Sequence, residues 1–70
     1  MPGEMDAEMD WAKMYLAGAL GYEMYDADRT AKQIPHMADW AAQRKDNLQR
    51  AARAMSFEEE MLGTYHRITG

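Results

Sequence analysis

Cysteine is absent from this 70-residue sequence, which excludes disulfides and thiolate metal sites. Valine is absent too, and the only other β-branched residues are Ile34, Ile68, Thr30, Thr64 and Thr69. So little strand-forming material argues against a sheet protein. No stretch is rich in Ser, Pro or Gly and no segment repeats, so nothing marks a linker or a second domain. The longest run without a charge is nine residues, Met14 to Tyr22, far below the roughly 20 apolar residues of a membrane span. The start has no basic region before an apolar run, Gly falls at position 3 instead of 2, and no Cys lies near the end. No secretory signal, myristoyl or prenyl anchor is therefore expected. The expected location is the cytoplasm, or the inside of a particle assembled there.

Ala, Met, Leu, Glu, Lys, Arg and Gln fill most positions, and these residues lose little rotamer freedom in a helix. The expected fold is all-α: one domain over residues 1–70, a small helical hairpin or three-helix arrangement with a long N-terminal helix. The helices are expected at about 4–26 or 4–33, 35–54 and 57–68, the first boundary depending on whether the chain turns between Asp26 and Pro35. A chain this short buries only about 60% of the surface its unfolded form exposes, so its own core is marginal.

On the first helix, Met5, Met9, Ala12, Leu16, Ala19, Leu20 and Ala27 share a face suited to a core. Gly18 and Gly21 sit mid-helix, where each costs roughly 1 kcal/mol relative to Ala, so something should approach the backbone there. On the second, Ile34, Ala41, Leu48 and Met55 recur every seven residues, with Met37, Arg44 and Ala51 between them, a coiled-coil-like seam. Arg44 in that seam must snorkel or meet an acid. Asp39, Gln43, Asp46, Arg50 and Arg53 form the wet side. Ser56-Phe57-Glu58-Glu59 fits a capping box opening the third helix. Its apolar stripe is Phe57, Met61, Tyr65 and Ile68.

Candidate chemistry is sparse. Neither His36 nor His66 has an acid at the spacing of a recognised metal motif, so both read as solvated or capping side chains. Ser56 is the only serine and is assigned to a cap, so no nucleophile with a base at a diagnostic spacing remains. Asp26-Ala27-Asp28-Arg29-Thr30 begins like a calcium loop, but Ala31 and Met37 occupy the positions that need Gly and Glu; a helix cap or local bend is expected there instead. No catalytic residue, metal or cofactor is therefore expected, and the chain is not expected to be an enzyme.

The net charge of −4 opposes whole-protein attraction to nucleic acid or anionic lipid. Glu4, Asp6, Glu8, Asp10 and Glu58 to Glu60 fan around their helices without forming one anionic stripe. The middle segment is basic through Arg44, Lys45, Arg50 and Arg53, too short a patch for nucleic-acid binding to be expected. Trp40 and Arg44 stand four apart, a spacing that suits a cation–π contact.

The most informative pattern is a second face on the first helix. Trp11, Tyr15, Gly18, Tyr22 and Tyr25 follow spacings of four, three, four and three, with Met14 adjoining. Two short helices cannot cover a helix that is apolar nearly all round, because each shields a limited arc. These residues, with Trp40, are the expected partner interface, since aromatic residues and Met are enriched at interfaces. The expected function is a non-catalytic helical adaptor or assembly subunit that oligomerises or docks on a protein partner; a bacteriophage particle component is one setting that suits it. The alternatives are an acidic monomeric inhibitor of a host enzyme or nucleic-acid-binding protein, and a metal- or cofactor-bound helical protein.

Overall fold

A computed structural model describes residues 2–70, with side chains from Asp10 onward. It is all-α, and no strand occurs among the described residues. Helix α1 runs Pro2–Gln33, a single 3-10 turn occupies Pro35–Met37, α2 runs Ala38–Ala54 and α3 runs Glu58–Thr69. At about 1.5 Å per residue, the 32 residues of α1 account for most of the 51 Å long dimension.

The chain continues as helix through Asp26–Thr30, so the expected cap or bend is absent there. Asp26 and Arg29 instead stand one turn apart, 3.9 Å between charged atoms. The break falls at Ile34, whose φ of −131° and ψ of 85° lie outside the helical region. A residue preceding proline is sterically driven there. Pro35 then starts a 3-10 turn, closed by a bond from the Met37 N–H to the Ile34 carbonyl. The regular second helix consequently begins three residues later than its expected start at 35.

After this reversal α2 descends antiparallel to α1: Lys45 midway along it meets Asp28, while Ala52 near its base joins Ala17 in the core. Helix α3 climbs back parallel to α1, its Met61 beside Gly21 and its Ile68 beside Tyr25 and Lys32.

The turn between α2 and α3 corrects the expected capping box. Ser56 has φ +62°, the left-handed region, and caps the end of α2 rather than the start of α3. The Phe57 N–H reaches the Ala52 carbonyl at 2.9 Å and the Ser56 N–H reaches the Arg53 carbonyl at 3.1 Å, the paired bonds of a Schellman motif. Phe57 makes no side-chain cap. It drops into the core with Ala52, the apolar contact that accompanies such a motif. Glu58 pairs with Arg53 at 2.8 Å across the turn.

The core cluster consists of Ala17, Met24, Leu48, Ala52, Phe57 and Met61, with Leu20, Leu62 and Tyr65 packed at its edge. The expected core face of α1 needs correction. Ala27 is buried and Leu20 half-buried, whereas Ala12, Leu16 and Ala19 are exposed; Met5 and Met9 lie outside the described side chains. The buried stripe is instead Ala17, Gly21, Met24 and Ala27. Gly21 explains the choice: a Cβ there would stand 2.8 Å from the Met61 carbonyl oxygen and 3.0 Å from Thr64 Cβ. Without a side chain at 21, α3 can pack backbone to backbone on α1.

The seam of α2 shifts in the same way. Ala41 and Leu48 are buried as expected, but Ala52 replaces Ala51, and Ile34 and Met55 are exposed. Arg44 meets an acid, Glu23, at 3.3 Å. Phe57 and Met61 are buried, and Tyr65 and Ile68 half-buried, in the expected stripe of α3.

Candidate interaction surface

One polar cluster crosses all three helices. Lys45 of α2 stands 2.9 Å from the Asp28 carboxylate of α1 and donates to the Tyr65 hydroxyl of α3 at 3.0 Å. The Tyr65 hydroxyl in turn donates to Asp28, and the Lys45 ammonium lies 5.0 Å from the Tyr65 ring centroid. Partial burial opposes the charged form of Asp28, but the bonds from Tyr65 and Lys45, with the charges of Lys45 and Lys32, outweigh it and hold the carboxyl below its ordinary 3.8. The bond with Tyr65 does most to raise Lys45 above its ordinary 10.5, with Asp28 adding to it and burial working against it. The pair is about one-third exposed and, through these bonds, fastens α1, α2 and α3 together.

His36 and His66 are both exposed. Among the described residues, no group of three His, Cys, Asp or Glu could hold a metal ion, and no helix is long and apolar enough to cross a membrane. The concave regions are shallow clefts such as that between Lys13, Met14, Phe57 and Glu60.

The outer face of α1 is the opposite of these satisfied sites. Trp11 is 71% exposed, Met14 68%, Tyr15 67% and Tyr22 55%. Tyr25 is half-buried against the end of α3. The rings are arranged along the helix: Trp11 stacks on Tyr15 with centroids 5.9 Å apart and planes at 14°, and Tyr22 meets Tyr25 edge-on at 5.8 Å. The Arg29 guanidinium lies 5.7 Å from the Tyr25 centroid. These are the offset-stacked and edge-to-face arrangements that aromatic pairs prefer.

Gly18 lies between the two ring pairs, and a Cβ added to it would meet nothing within 4 Å. The two mid-helix glycines therefore differ. Gly21 is used by α3, and Gly18 opens outward with no neighbour from its own chain.

Trp40 does not join this face. It lies beside Glu23, Asp26, Ala27 and Thr30 in a cleft between α1 and α2. The expected Trp40–Arg44 contact is replaced by the Arg44–Glu23 pair. Sequence reasoning also missed the Asp28–Lys45–Tyr65 cluster. A signal was present, since Lys45 falls between Ala41 and Leu48 on the buried stripe of α2.

Comparison of the chain with protein-family models, with curated proteins and with solved structures gives no match in any of the three.

Proposed function

We propose that the chain is a non-catalytic helical interaction module whose outer α1 face docks on a protein surface. The observation that carries this reading is the row of exposed rings at Trp11, Tyr15 and Tyr22, interrupted by a glycine with open space in front of it. Large apolar side chains exposed in a contiguous patch mark interaction sites more often than isolated ones do. Aromatic residues supply large contact area with few torsions to freeze. The small core supports the same reading. Among the described residues, four of the eight buried hydrophobic side chains are alanines, so that core offers little apolar burial and gains from more.

Site-specific photocrosslinking in the cells that make the chain tests the reading. A photoreactive side chain replacing Tyr22 should give discrete protein adducts, and the same group replacing Gln43 on the outer side of α2 should give none. Equal labelling from both positions, or none from Tyr22, would contradict it.

A further inference from the structure

We infer that the occupant of the outer α1 face is a second copy of this chain, lying antiparallel and related by a two-fold axis through Gly18. The inference rests on the docking reading above and commits it to one partner.

The argument starts from register. Positions 11, 15, 18, 22 and 25 follow the alternating four- and three-residue steps that keep one seam of a helix facing a partner. The same steps carried forward reach Arg29 and Lys32, both exposed, and carried back along the sequence reach Glu8 and Glu4. In sequence register the seam positions therefore run from acidic residues through aromatic to basic ones.

Such a seam complements its own reversed copy. With Gly18 set opposite Gly18 of the second copy, Trp11 falls beside Tyr25 and Tyr15 beside Tyr22. At the ends, the Glu4 and Glu8 positions fall beside Lys32 and Arg29. A parallel pairing would set acid against acid and base against base, and would also align the two helix dipoles unfavourably. The central contact is glycine on glycine, where two backbones can approach most closely. In an isologous interface every contact occurs twice, so a self-complementary pattern about one residue is what two-fold symmetry requires.

The area is of the right order. The exposed parts of Trp11, Met14, Tyr15 and Tyr22, with what remains open of Tyr25, supply on the order of 500 Å² per copy. The stems of Arg29 and Lys32 and the backbone around Gly18 bring this toward the roughly 800 Å² per partner of a standard interface. One flank of the seam carries the small exposed Ala12 and Ala19 together with the larger exposed Leu16, Glu23 and Asp26.

The test uses the purified full chain, which has no cysteine of its own. Under mild oxidation Gly18→Cys should form a disulfide-linked dimer. Trp11→Cys and Tyr25→Cys should each stay unlinked alone, yet link to one another when mixed. Arg29→Glu with Lys32→Glu should weaken dimerisation, read by sedimentation equilibrium, at least tenfold. Adding Glu4→Lys and Glu8→Lys to that chain should restore it. Circular dichroism confirms that each variant keeps its helix. Self-linking at 11, 18 and 25 alike indicates a parallel pair and overturns the inference. So does a single-chain mass at about 100 μM, well above the Kd of a micromolar pair. If that mass is found while Tyr22 still crosslinks to a different protein in cells, the antiparallel dimer falls and the docking face stands. If Tyr22 crosslinks to nothing, both fall.

Discussion

The Lys45 ammonium lies 2.9 Å from the Asp28 carboxylate, an ion pair between α1 and α2 that Tyr65 of α3 completes. Folding lowers the pKa of Asp28, so its contribution to stability is present above its ordinary 3.8 and is lost as pH falls through the lower folded value. Folding raises the pKa of Lys45, so its contribution is present below 10.5 and is lost as pH rises through the higher folded value. The destabilisation caused by Asp28→Asn should therefore be constant between the two ordinary values, 3.8 and 10.5, and shrink as pH falls below 3.8 and through the lower folded value. Thermal unfolding of both chains across pH checks this. Tyr65→Phe should cost about 1 kcal/mol, the value of one hydrogen bond.

Gly21 and Gly63 should respond to alanine in opposite senses. At 21 the new Cβ meets the Met61 carbonyl, a backbone atom that cannot move aside without shifting α3. Gly21→Ala should cost about 1–3 kcal/mol through overpacking. At 63 nothing lies within 4 Å, and Gly63→Ala should stabilise the chain by about 0.5–1 kcal/mol through helix propensity alone. Urea unfolding midpoints separate the two.

Ser56 offers a test whose sign is diagnostic. In a capping box, replacing serine by glycine costs a few tenths of a kcal/mol. In the left-handed position it occupies here, glycine removes the strain of a side chain, and Ser56→Gly should stabilise by about 0.5–1 kcal/mol. A drop in the urea midpoint would contradict the Schellman turn.

Phe57 connects that turn to the core and is among its largest fully buried side chains. Phe57→Ala should cost about 3–5 kcal/mol, a large share of the whole stability expected of so small a domain. The near-native helical circular dichroism of the wild type should be largely lost.

How much of this was legible in the sequence follows from what competes at each position. The helical class was readable because composition acts locally and nothing in the fold opposes it, whereas the end of the first helix stood open between 26 and 33 until the continuous helix to Gln33 placed the break before Pro35. The stripe of α3 was readable because Phe57, Met61, Tyr65 and Ile68 are the apolar residues of a single face. The core face of α1 was not. That helix is apolar nearly all round, so periodicity offers several equivalent stripes, and only the close approach of α3 at Gly21 selects Ala17 and Met24 over Leu16 and Ala19. Ser56 misled because a serine three residues before a glutamate suits a cap, while the left-handed conformation it adopts is one that glycine normally marks. The aromatic row was legible as a pattern, and its exposure followed from counting helices. Trp40 was grouped with it on chemistry alone, and the path of α2 puts it in a different cleft.

The most direct measurement is the solvent access of Trp11 as a function of protein concentration, read by acrylamide quenching in a Trp40→Phe chain so that one indole reports. In the antiparallel pair, quenching should be that of an exposed indole at nanomolar concentration and fall several-fold as the chain approaches about 100 μM, with Tyr22→Glu remaining fully quenchable throughout. An indole equally accessible at every concentration, in both chains, would contradict the account.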